Sequence, residues 1–161
     1  MTASLQRRLG LVSWLSGQPQ VGGPAAPARG AGRAAWGDGG RYPGRLDQAA
    51  QVREFLTGLL RGCPASADVI LLTDELVSNA LLHSESRRPG GGFSVRADIR
   101  HGESVRVEVA DAGGQWTRRG RDSSRPGGRG LMIVQALASA WGVTGDDNGR
   151  TVWFVTGWNV E

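Results

Sequence analysis

Apolar and polar positions change their period several times along the chain, and each change marks an element. Residues 46–62, LDQAAQVREFLTGLLRG, put Ala50, Phe55, Leu59 and their neighbours on one stripe. With Asp47 as N-cap and Gly62 as the stop, they predict a first helix. After the turn at Pro64, residues 67–84 keep helical spacing but are apolar on more sides, which predicts a second, more deeply buried helix. RRPGGG then breaks the chain. FSVRADIR (93–100) and SVRVEVAD (104–111) alternate with period two around HGE and predict a hairpin. A polar loop rich in Gly and Arg runs from Gly113 to Gly128, and GLMIVQALASAW (130–141) returns to helical spacing. DDNGR announces a turn before a last strand, TVWFVTGW (151–158). The order helix, helix, strand, strand, loop, helix, strand predicts an α+β fold. It is a two-layer α/β sandwich, with helices on one face of a mixed, mostly antiparallel sheet.

The segment before the first helix behaves differently. From Gly17 to Gly44 it is dominated by Gly, Pro, Ala and Arg, and such a stretch buries too little apolar surface to offset its ordering entropy. It predicts a disordered tail over 1–41 and a folded domain over 42–161. The start, QRRLGLVSWLSG, echoes an export signal, but Gly10 and Ser13 break its apolar stretch and it lacks a clear cleavage site. It is better described as a tail with a weak amphipathic helix through Leu5, Leu9 and Val12.

Charge sharpens this division. The net charge is +4, all cations are arginine, and residues 1–46 carry six of them against Asp38 alone. The remainder, with thirteen arginines against fourteen acids, is near neutral, so the domain itself is not expected to contact nucleic acid. A single cysteine, Cys63, rules out an intramolecular disulfide and suits a reducing cytoplasm. No apolar run is long enough to span a bilayer.

Candidate chemistry begins inside the second helix. Residues four apart share a helix face, so Glu75, Asn79 and His83 climb one side of it. Leu71, Leu72, Leu76, Val77, Ala80, Leu81 and Leu82 surround them, and polar groups enclosed in this way need partners. Two further features are weak signals alone. Asp111 ends a strand ahead of Gly113 and Gly114, as in many turns, and RPGGRGLMIV puts glycines directly before an apolar helix, where freed backbone amides favour anions.

Together, ELVSNALLHS, VADAGG, GGRGLMIV and GRTVWF, in that order, resemble the nucleotide-binding boxes of the GHKL ATPase superfamily, over about residues 42–158. The likeness is greatest to the small anti-sigma factor serine/threonine kinases of bacteria. The resemblance implies a Bergerat-type ATP-binding fold with ATP and Mg²⁺ as cofactors. It implies that Glu75 is the general base and that the Asn79 amide oxygen is a Mg²⁺ ligand, with His83 near the phosphates or packed structurally. Asp111 would accept a hydrogen bond from the adenine amine, and Gly113 would let the backbone approach the base. Gly128, Arg129, Gly130 and Leu131 fall in the second glycine box, and Thr151 would support the adenine end. The sequence departs from the family where Gln115 replaces a frequent glycine and where Arg118, Arg119, Arg121, Arg125 and Arg129 crowd the lid. Arg129 is the candidate for the γ-phosphate.

The function so implied is phosphorylation of Ser or Thr on a STAS-domain anti-anti-sigma protein, with sequestration of a sigma factor, in the cytoplasm and away from the membrane. A homodimer is compatible, since relatives commonly dimerise. The alternative is a non-catalytic ATP-binding partner switch.

Overall fold

The computed structural model describes residues 34–100, 102–114 and 130–158, the first five of these by their backbone alone. Its centre is a five-stranded sheet of β1 (Ala34–Pro43), β2 (Gly92–Arg100), β3 (Ser104–Asp111), β4 (Ala140–Asp146) and β5 (Gly149–Gly157). The spatial order is β1-β2-β3-β5-β4, and all neighbouring pairs are antiparallel, so the expected mixed character is not found among the described residues. Helices α1 (Gln48–Leu59), α2 (Ser66–His83) and α3 (Gly130–Leu137) contribute the opposing side of the core. A short 3-10 turn, Glu85–Arg87, follows α2.

Alternation along the strands decides which face the core takes. Val95, Ala97 and Ile99 of β2, Val105, Val107 and Val109 of β3, and Phe154 of β5 are buried. They meet Val52 and Leu56 of α1, Leu72, Leu76, Val77, Ala80 and Leu81 of α2, and Val134 of α3 in one cluster. The other face is polar; there the Arg106 guanidinium lies 4.1 Å over the Trp153 ring and bonds Glu108 at 2.9 Å. Cys63 is a half-buried free thiol, and no described helix is long and apolar enough to cross a membrane.

Two strands depart from the expectation. β1 starts at Ala34, inside the stretch expected to be disordered, and pairs with β2 along its length. An edge strand needs a partner backbone more than an apolar face, so its Gly-rich sequence carries no alternating signal. Its register shifts between Asp38 and Gly40, where Gly40 takes a positive φ of 79° that suits a bulge. Tyr42 anchors the strand by stacking on Phe93, with ring centroids 5.3 Å apart.

β4 begins on the last two residues assigned to the final helix, Ala140 and Trp141. α3 ends at Leu137; the Ser139 amide then donates to the Val155 carbonyl at 2.7 Å, and the chain continues as an edge strand along β5. Gly142 sits opposite Trp153, whose indole fills the space a side chain there would need. At the other end of the chain, Asp47 does stand at the α1 N-cap, but with helical dihedrals and no capping bond. Its carboxylate accepts from Arg45 instead, at 3.0 Å. Ala50, expected on the apolar stripe, is exposed.

Candidate functional site

Helix α2 supplies the first wall. Its buried leucines and valines fix its rotation, which leaves Glu75 and Asn79 half-buried and His83 exposed. The packed structural role considered for His83 is therefore not what its surroundings offer. Helix α3 begins directly against this polar pair. A β-carbon at Gly130 would lie 2.6 Å from Glu75 Oε2 and 3.5 Å from Asn79 Nδ2, so glycine here leaves the Glu75 carboxylate its place between the two helices. α3 is described from Gly130 onward, beside a carboxylate and an amide. Leu131, next along, packs on the core.

The second wall is the end of β3. The Asp111 side chain is only 7% exposed, and its Oδ1 accepts from the Gly113 amide at 2.7 Å, closing a tight turn. Gly113 has φ of 73°, and a side chain there would run into the Asp147 carbonyl, so position 113 needs glycine on both counts. This turn is clamped from two sides. The Gly113 carbonyl accepts from the Glu85 amide at 2.9 Å, and the Gly114 amide donates to the Asp147 carbonyl at 2.7 Å. The fully buried Ser86 hydroxyl accepts from the Ala112 amide at 3.1 Å. The carboxylate is thus tied to the segment that leaves α2.

Asp111 faces a residue that the sequence reading passed over. Its cross-strand partner is Arg150, whose Nε lies 3.6 Å from Asp111 Oδ1 and whose Nη2 donates to the His83 carbonyl at 3.1 Å. Thr151, assigned to the adenine end, pairs with Ala110 on the opposite sheet face. The available signal was the period of two in β5. Position 150 shares its face with Val152 and the buried Phe154, whereas 151 shares its face with Trp153. Burial pushes the Asp111 carboxyl above the usual carboxylate range, with the Gly113 amide and Arg150 pulling it back.

Glu75, Asn79 and Gly130 thus meet on α2, while Asp111 and Gly113 are tied to its C-terminal end, where His83 stands, through Arg150 and the Glu85 amide. Gly128 and Arg129 lie outside the described residues, as do the other lid arginines. Among the described residues, no three His, Cys, Asp or Glu side chains cluster as a metal site would require. A separate open groove between β1 and α1, lined by Tyr42, Phe55 and Leu59 among others, is remote from these groups.

Comparison with solved structures finds the RsbU and RsbW domains of Rv1364c from Mycobacterium tuberculosis, with a TM-score of 0.55 and 24% identity. That match covers 72% of this chain but 31% of that one, so this chain spans under a third of its neighbour. A histidine kinase domain from Erythrobacter litoralis EL346 blue-light activated histidine kinase matches with a TM-score of 0.43 and 23% identity, over 67% of this chain and 59% of that one. Residues 42–156 match the family profile of the histidine kinase-like ATPase domain, from the end of β1 to near the end of β5. The chain belongs to the histidine kinase-like ATPase domain family.

Proposed function

We propose that the chain binds ATP with Mg²⁺ along α2 and transfers the γ-phosphoryl group to a Ser or Thr of a STAS-domain anti-anti-sigma protein, thereby controlling sequestration of a sigma factor. The observation that carries this reading is the close approach of Gly130, in the second glycine box, to Glu75 and Asn79, which puts that box, a carboxylate and an amide at one point. Phosphate suits the backbone amides of such a box. From residue 75 to residue 83, α2 rises about 12 Å, so an elongated ligand can reach from that end to Asp111. The family supports ATP as that ligand, and the RsbW domain of the structural neighbour supports a partner switch.

The donor set fits a metal that arrives with its nucleotide. Asn79 offers one hard amide oxygen and, among the described residues, no carboxylate cluster is at hand, whereas Mg²⁺ ordinarily takes its remaining ligands from phosphate and water. Bound there, it would neutralise charge developing on the phosphates. Glu75 then accepts the proton of the attacking hydroxyl as the new O–P bond forms and the bond to the leaving ADP breaks. Asp111 accepts from the exocyclic amine of adenine and disfavours a carbonyl in that place.

Incubating the protein with γ-labelled ATP and the STAS proteins of its own proteome tests this reading. Label on a Ser or Thr of one of them is the expected result. ATP binding without transfer to any of them would favour the non-catalytic switch.

A further inference from the structure

None of the roles above uses Arg150. Its side chain is only 8% exposed and lies beside a carboxylate buried as deeply, on the sheet face that meets the helices. It is held from two directions. The backbone register sets it opposite Asp111, and its Nη2 donates to the carbonyl of His83, the last residue of α2. A guanidinium is planar and stays charged at any ordinary pH, so anchoring one edge on a carbonyl fixes where the charge sits. That charge is presented to Asp111, with Nε 3.6 Å from Oδ1.

The protonation of Asp111 decides which ligand edge it can read. As a carboxylate it only accepts, which suits an amine; as a neutral carboxyl it also donates, which suits a carbonyl. Burial drives it toward the neutral form, and Arg150 opposes that drive. Other charged residues adjoin it from each neighbouring element. His83 ends α2, Glu85 of the 3-10 turn is paired with Arg88, and Asp147 in the β4–β5 turn contacts the Asp111 turn through its carbonyl. Among the described residues, the cation that forms an ion pair with Asp111 is Arg150.

We propose that Arg150 is a positioning residue for nucleotide specificity: by orienting Asp111 and keeping it an acceptor-only carboxylate, it restricts the site to a purine with an exocyclic amine and excludes one with a carbonyl there. This rests on the reading of the site as a nucleotide site, and the experiment separates the two. Calorimetry measures the affinity of ATP and of inosine triphosphate, which carries a carbonyl in place of the adenine amine. Wild type, Arg150→Gln, Arg150→Lys and Asp111→Asn are compared from about pH 8 down to about pH 5.5, a range that shifted carboxyls can reach.

Arg150→Gln removes the charge and the reach to the His83 carbonyl but keeps a neutral donor at the position of Nε, toward Asp111. Its preference for ATP should fall by about 10-fold or more across that range, the size of effect that losing a neighbouring charge can have on a buried carboxyl. The wild type should hold its preference much further down, and Arg150→Lys should recover most of it. A merely structural role would weaken both nucleotides alike with no pH dependence. If Asp111→Asn weakens ATP but folded Arg150→Gln keeps the wild-type preference and pH profile, the role of Arg150 is overturned. If Asp111→Asn binds ATP as tightly as wild type, the nucleotide reading falls and this inference falls with it.

Discussion

Gly130 shows how much one missing side chain decides. Alanine is ordinarily favoured in a helix by about 1 kcal/mol over glycine, yet here its β-carbon would press on Glu75 Oε2. The obstacle is the tip of a flexible side chain, so the carboxylate can swing aside while the helices stay packed. Gly130→Ala should therefore keep a melting temperature within a few degrees of wild type yet lose phosphoryl transfer by about 10-fold or more, as displaced catalytic groups do. Transfer at the wild-type rate would mean that the Glu75 position is not critical. Asp111 makes a second prediction, on pH. Its folded pKa is raised, so the native state holds that proton more tightly than the unfolded chain does. Its contribution to stability then grows as pH falls through the raised folded value toward the unfolded one, and is lost as pH rises. The unfolding free energy of wild type minus that of Asp111→Asn should increase on acidification, measured by urea titration at several pH values. A flat difference would contradict the burial of the ionised carboxylate. Glu75 and Asn79 were legible because polar groups stood among apolar neighbours on one helix, whereas Asp111 was a weak turn signal until the resemblance joined it to the other boxes. Arg150 was not legible, because its partner follows from cross-strand register, and the neighbouring Thr151 looked the better match.

At the scale of elements, legibility followed amphipathicity. Helices α1 and α2 and the β2–β3 hairpin each bury one face, and their periodicity announced them to within a residue or three. The edge strand β4 buries little, and the backbones of β1 and β4 find partners that no local pattern reveals. β4 was hidden further because the apolar run of α3 leads straight into it; Trp141 continues that run in composition but pairs with Phe154. Tyr42 holds β1 on the domain through its stack on Phe93. Tyr42→Ala should then cost about 3 kcal/mol of unfolding free energy, the usual range for a large buried aromatic. A loss within a few tenths of a kcal/mol in denaturant titration would mean that β1 contributes little to the fold.

For the molecule as a whole, the sheet order makes the site. β5 inserts between β3 and β4, which sets Arg150 against Asp111, and the crossover through α3 returns Gly130 to α2. Groups from distant parts of the sequence thus meet α2 or its end, and in the proposed function Asp111 binds the ligand while Glu75 does the chemistry. The two assignments separate in one measurement, single-turnover phosphoryl transfer to the STAS partner with ATP affinity measured alongside. Glu75→Gln keeps the size and one carbonyl acceptor but is too weak a base, so ATP should bind within a few-fold of wild type while transfer falls roughly 10²-fold or more. Asn79→Ala should weaken both together, because it removes a metal ligand. Transfer by Glu75→Gln at the wild-type rate would contradict the assignment of Glu75 as the base, and with it the central claim.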